Sequence, residues 1–162
     1  MIKSLRLTIR PIEASDCDFL IVLLNEPDFL THIGDKEVRT TEDAMRYMNE
    51  GPLNCQQEHG FSLMTVLLNG ELPIGLCGLL KRDELEYPDL GYAFLEKYYR
   101  QGYAYEATSA VLKHFQHISP LLATTGETNK ASQSLLIKLG FEQLEQTDES
   151  KAQQTTTFKL VR

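Results

Sequence analysis

The chain has no tryptophan, only three cysteines and no glycine- or serine-rich tract among its 162 residues. Each shortage removes a class of protein. Cys17, Cys55 and Cys77 are odd in number and widely spaced, which gives neither a disulfide framework nor a CxxC metal knuckle. Reduced thiols and no metal are therefore expected. No apolar run approaches the roughly 20 residues that span a bilayer, and the start, Met1 to Arg6, lacks the apolar segment of a signal peptide. No membrane partner and a cytoplasmic location follow as expectations. Positive charge is also short: 16 Lys and Arg face 23 Asp and Glu, for a net charge of −7. A nucleic-acid binder needs a basic face to neutralise phosphates, so no nucleic-acid partner is expected, and cationic partners are mildly favoured.

What remains is ordinary for a folded domain. Hydrophobic residues make up 42% and charged residues 24%, which excludes collagen-like, coiled-coil and largely disordered chains. The length fits one domain over residues 1–162. Leu5 to Pro11 alternates as a half-buried strand. Ser15 reads as the N-cap of a helix carrying Phe19, Leu20, Leu23 and Leu24, which Asn25-Glu26-Pro27 ends. A second helix opens at Thr40 or Thr41 and stops at Gly51-Pro52. Phe61 to Leu68, the turn at Asn69-Gly70, and Leu72 to Leu80 read as a hairpin. Asp89 to Leu95 is a further strand after an acidic connection. A helix follows from Gly102, then a short strand at Leu121 to Thr125. Asn129 to Leu139 forms a helix closed by Gly140. Phe141 to Thr147 and Thr155 to Val161 are strands around a polar turn. This order is an α/β layout with a mixed sheet.

The segment Tyr99-Arg100-Gln101-Gly102-Tyr103-Ala104 joins a strand to a helix. A glycine there lets the chain turn tightly and lets an anion approach, while the first helical N–H groups and the helix dipole supply positive potential. Arg100 adds a cation beside it. The sequence contains neither GxGxxG nor GxxxxGK[ST], so dinucleotide and P-loop readings lose support.

The ordered set Asp89-Leu90-Gly91-Tyr92, Arg100 to Ala107, Asn129-Lys130-Ala131-Ser132 and Lys138-Leu139-Gly140-Phe141 resembles the GCN5-related N-acetyltransferase (GNAT) family. Within it, the set is most similar to the branch that acetylates the N-termini of ribosomal proteins. The resemblance spans nearly the whole chain. It implies a three-layer fold with a mixed, mostly antiparallel central sheet, helices on both faces, and a splay between the Asp89–Leu95 and Leu121–Thr125 strands. It implies acetyl-CoA as co-substrate, with Gln101, Gly102, Tyr103, Ala104 and Tyr105 cradling its pyrophosphate. Phe94 and Leu95 would pair their backbone with the pantetheine arm. Asn129 would contact the cofactor, cap its helix, or both. The family pattern's first position falls on Tyr99, a departure. Ser132 matches a serine of this branch that would bond the cofactor or lie near the departing sulfur. The helix tyrosine that serves many relatives as an acid is replaced by Leu136.

Acetyl transfer to an amine needs a neutral nucleophile, a donor for the carbonyl oxygen and a leaving thiolate. A free strand N–H near Phe94 is the candidate oxygen donor. Asp83, Glu84, Glu86 and Asp89 are candidate bases. Asp89, which opens the strand facing the slot, is the one assigned, with the loop acids forming an acidic mouth that attracts a cationic amine. His32 and His59 are expected in loops bordering that channel, and Tyr92 and Tyr103 on its walls or in the core. Cys17 and Cys77 read as core. The expected activity is an N-acetyltransferase acting on a primary amine, either a protein N-terminus or a small molecule, as a monomer or homodimer. The rival is a catalytically silent acyl-CoA-binding or regulatory module on the same fold.

Overall fold

A computed structural model describes all 162 residues. Period-two alternation and turn chemistry build eight strands: β1 (Ile2–Lys3), β2 (Leu7–Pro11), β3 (Leu63–Leu68), β4 (Leu72–Leu80), β5 (Asp89–Phe94), β6 (Leu121–Gly126), β7 (Glu142–Gln143) and β8 (Thr155–Leu160). They form one mixed sheet in the order β1-β2-β3-β4-β5-β6-β8-β7. At the β3–β4 turn Asn69 and Gly70 both take positive φ, 52° and 77°, and the Glu71 N–H donates to the Leu68 carbonyl at 3.1 Å. Two left-handed residues in a row match the right-handed twist of a tight hairpin, which is why Asn-Gly is readable as its turn.

Every neighbouring pair is antiparallel except β5 with β6, and those two share a single registered pair, Asp89 with Leu122. Past that point the strands part. The slot expected between them is therefore present, closed at Asp89 and open toward Phe94. Gly91, Tyr92 and Ala93 lie on a central strand yet remain only half-buried, because no strand covers their edge.

The helices are α1 (Cys17–Leu23), α2 (Pro27–His32), α3 (Thr41–Met48), α4 (Asn54–His59), α5 (Tyr103–His114), α6 (Lys130–Lys138) and α7 (Asp148–Ala152). Two cores lie on opposite faces of the sheet. On one, α5 and α6 bring Ala107, Val111 and Leu136 against Leu90, Phe94, Ala123 and Phe158. On the other, α1 and α3 bring Leu20, Leu23, Ala44 and Met48 against Leu76 and Leu95. Cys77 is fully buried in the first core and Cys17 is buried in the second, both as packing groups.

Four local expectations need correction. Ser15 is not an N-cap. It lies inside a 3-10 turn, Ala14–Asp16, that precedes α1, and Asp16 accepts the Glu13 N–H at 2.9 Å. Asp16 is drawn in by a bidentate pair with Arg10, at 2.8 and 2.9 Å, and by the Thr65 hydroxyl at 2.8 Å. Pro27 does not merely end α1. It opens α2, where the first turn has no use for its missing N–H. Gly51-Pro52 does not stop α3. The helix widens into a π turn over Asn49–Leu53 that takes in Pro52 and continues as α4, ending at Gly60 with φ +78°. The strand expected from Phe141 to Thr147 shrinks to β7, because Thr147 caps α7 by accepting the Ser150 N–H at 3.1 Å.

Candidate active site

The turn expected ahead of α5 is present. Arg100 and Gly102 both adopt left-handed backbone, with φ of 58° and 81°, and swing the chain from the end of β5 into α5. Gly102 is the N-cap and no side chain caps the helix. The first intrahelical bond is Glu106 N–H to the Gly102 carbonyl at 3.0 Å. The N–H groups of Gly102, Tyr103, Ala104 and Tyr105 are thus left for an anion. Gln101 contributes differently: its carbonyl accepts from Arg6 at 3.0 Å and its side-chain amide donates to the Lys97 carbonyl at 3.1 Å. It braces the turn from behind.

The sequence alone does not reveal that bracing. Glu106, in the first turn of α5, accepts from the Ser4 hydroxyl at 2.6 Å, and from the Arg6 backbone N–H and Nε at 2.7 Å each. The Arg6 guanidinium also lies over the Tyr103 ring, 4.4 Å from its centroid. Burial alone would raise the Glu106 pKa, but the Ser4 and Arg6 hydrogen bonds hold it below the ordinary value. One buttress therefore ties the N-terminal segment, the anion turn and α5 together. An acid in a helix's first turn is visible as a dipole partner, but its partners lie about a hundred residues away in sequence.

Hydrogen-bond phase decides which strand groups face the slot. The Leu95 N–H donates to the Ile74 carbonyl at 3.0 Å, and the Leu95 carbonyl accepts from Tyr98 at 2.9 Å. Both its backbone groups are used, so Leu95 does not pair with a pantetheine arm. Antiparallel alternation directs the N–H and C=O of Tyr92 and Phe94 the other way, into the slot. The free strand edge is therefore that of Phe94 and Tyr92, without Leu95. On the facing bank the Leu122 N–H donates to the Pro88 carbonyl at 2.9 Å, so Thr124, two residues on, presents its backbone groups to the slot. Asn129 caps α6, its Oδ1 accepting the Ser132 N–H at 3.2 Å.

The side chains then divide between the faces. Strand alternation puts Tyr92 on the α5–α6 side, where its hydroxyl meets the Ser132 Oγ at 2.7 Å. Burial, the larger influence, pushes the Tyr92 phenol up to about 12. Asp89 lies three residues away, about 10 Å along the strand, on the opposite face and at the closed end. It is 1% exposed, its Oδ2 is 3.2 Å from Arg82, and its Oδ1 has no hydrogen-bond partner. Burial raises its pKa to about 6, against the opposing pull of Arg82. The structure therefore brings Ser132 together with Tyr92 and not with Asp89.

Asp83, Glu84 and Glu86 stay exposed in the β4–β5 connection, which sits at the closed end of the slot rather than around its mouth. The acids at the open end are Glu26, which accepts the Glu96 N–H at 2.8 Å, Glu96 itself, and Asp28 beside Tyr99. His32 is not in a loop: it ends α2, and its Nδ1 stands 3.6 Å from where a Cβ on Gly126 would lie, at the far end of β6. His59 ends α4 and stacks on Phe61 at 5.7 Å. No cluster of three metal-ligating side chains is present, and no helix is long and apolar enough to cross a membrane.

Comparison with known proteins agrees with this geometry. The acetyltransferase (GNAT) domain model matches residues 6–142. A GNAT-family acetyltransferase from Bacillus anthracis shares the fold at a TM-score of 0.79 with 23% identity, over 99% of this chain and 97% of that one. RimL, a ribosomal alpha-N-protein acetyltransferase solved in complex with coenzyme A, matches at 0.82 with 14% identity, over 98% of this chain and 95% of that one. An acetyltransferase from Agrobacterium tumefaciens matches at 0.82 with 17% identity, over 99% and 94%. No curated protein matches by sequence. With the family pattern covering most of the chain and the splayed sheet in place, the protein belongs to the GNAT acetyltransferase family.

Proposed function

We propose that the protein transfers the acetyl group of acetyl-CoA directly to a primary amine, a protein N-terminus or a small molecule, within one ternary complex. The observation that carries this is the slot, with unpaired strand groups of Tyr92 and Phe94 leading to the free N–H groups at Gly102–Tyr105. The strand edge suits the amide-bearing pantetheine arm and the helix start suits a pyrophosphate. Bound there, acetyl-CoA supplies an activated acyl group. The Phe94 or Tyr92 N–H donates to the carbonyl oxygen as charge builds on it. Asp89 takes the proton of the attacking amine through a water. A carboxylate with a pKa near 6 and one unpartnered oxygen is ionised at neutral pH and still basic enough for that task. Asp89 and Ser132 lie toward opposite faces, which separates the group serving the incoming amine from the group near the departing sulfur. Asn129, through its amide nitrogen, is a further contact for the cofactor.

The test joins binding and turnover. Acetyl-CoA at about 100 times its Kd should stabilise the fold by roughly 2.7 kcal/mol, or about 5–10 °C in melting temperature. Thiol release should follow with at least one member of a panel of peptides, amino acids and polyamines. A melting shift with no thiol release above background from any amine would replace the transferase with an acyl-CoA-binding module.

A further inference from the structure

The contact between Tyr92 and Ser132 has a direction. Oη and Oγ lie 2.7 Å apart, and distance alone lets either donate. A phenol is more acidic than an aliphatic hydroxyl, so it is the better donor and the poorer acceptor. The only other acceptor near Oη, the Ser132 carbonyl, is 3.4 Å away and too distant to compete. With the phenol donating, Oγ is an acceptor in this bond and its own proton must point elsewhere. The Asn129 cap fixes the turn that carries the side chain, and Ser132 Oγ has no other partner within the protein. The backbone of Tyr92 faces the slot at the same level.

We propose that Tyr92 is a positioning residue that orients the Ser132 hydroxyl as a hydrogen-bond donor to the sulfur leaving acetyl-CoA. The inference rests on the transferase reading above and adds a device for the leaving group. The amine nitrogen bonds to the acetyl carbon, the carbon–sulfur bond breaks, and its electron pair stays on sulfur. Ser132 shares its proton without giving it up. Tyr92 keeps its proton too, since burial holds the phenol near 12, above the range of an alkyl thiol. Neither hydroxyl changes charge, so only Asp89, which holds the amine proton, has to release a proton before the next turnover. The arrangement occupies the role left open where Leu136 stands on α6, buried and without a proton to offer.

The test uses coenzyme A itself. The ultraviolet absorbance of its thiolate, followed against pH in the bound complex, reports the thiol pKa without any acceptor. A donor aimed at sulfur favours the thiolate, so the bound thiol should titrate below that of free coenzyme A followed in the same buffer. Tyr92→Phe should return it upward by about one unit, a tenfold change in the thiolate equilibrium. Ser132→Ala should do the same, and the double variant should do no more than Ser132→Ala. In turnover, Tyr92→Phe should lower kcat about tenfold and leave KM for acetyl-CoA within about twofold. An unchanged thiol pKa in both single variants would overturn the proposal even if wild type acetylates amines. A wild type that lowers the thiol pKa through this pair but acetylates no amine would overturn the transferase reading and retain the pair as a thiolate-binding element. Ser132 is half-buried in a first helical turn, so Ser132→Ala keeps the experiment decisive should Tyr92→Phe fold poorly.

Discussion

Replacing Asp89 by asparagine separates a buried base from a buried structural acid. In the folded chain the carboxyl titrates near 6, against an ordinary value of 3.8, because burial penalises its charge more than Arg82 compensates. The rise of about two units corresponds to about 3 kcal/mol of linkage. The sign follows from proton counting. Below pH 4 or so the group is protonated in both folded and unfolded chains and contributes no pH dependence. Between about 4 and 6 the unfolded chain ionises while the folded chain does not, so stability falls as pH rises. Above about 6 the loss is complete. The amide of the variant cannot ionise. The stability of Asp89→Asn relative to wild type should therefore climb by about 3 kcal/mol from pH 3.5 to 7, measured by urea unfolding at each pH. The same substitution should remove the limb of the kcat/KM profile centred near 6 and lower the neutral rate by about a hundredfold or more. Stability curves that run parallel across that range would refute the burial argument. An unchanged rate profile would refute Asp89 as the base and leave the linkage intact.

Three other changes test the scaffold around the slot. Gly102→Glu puts a carboxylate at a left-handed position among free N–H groups, with its Cβ 3.3 Å from Arg6; it should abolish acetyl-CoA binding in calorimetry while losing only about 1–2 kcal/mol of stability. Arg10→Met leaves Asp16 buried without its bidentate partner and should lower stability by about 3–5 kcal/mol in urea at neutral pH. Because hydrogen bonds hold the Asp16 pKa down despite its burial, the wild-type pair contributes fully above about pH 4 and fades as pH falls through that depressed value, so the gap should narrow in acid. Gly78→Ala places a Cβ 1.9 Å from the Ser62 carbonyl oxygen, backbone that cannot yield without shifting β3, and should cost about 3 kcal/mol or more by thermal unfolding.

The elements that are legible in the sequence are those whose cause is local. Asn69-Gly70 needs only its own two φ angles, Thr40 needs only the Asp43 N–H three residues on, and Gly102 needs only the helix it starts. The breaks that mislead are those where one residue type serves two local ends. A proline marks both the end of one helix and the first turn of the next, so Pro27 hides α2 and Pro52 hides a π turn that keeps the chain helical.

The site divides along the same line, one level up. Period two in β5 already places Asp89 on the opposite face from Tyr92, and the family pattern already singles out Ser132. Neither says which bank Ser132 faces, because the side of the sheet taken by α6 is set by how Leu136 packs against the core formed by α5 and the central strands. Hydrogen-bond phase is harder still. Leu95 and Phe94 are adjacent, apolar and buried, and only the register of β4 against β5 gives Leu95 to Ile74 and Phe94 to the slot. A one-residue change in that register would exchange their roles without altering composition, periodicity or either motif.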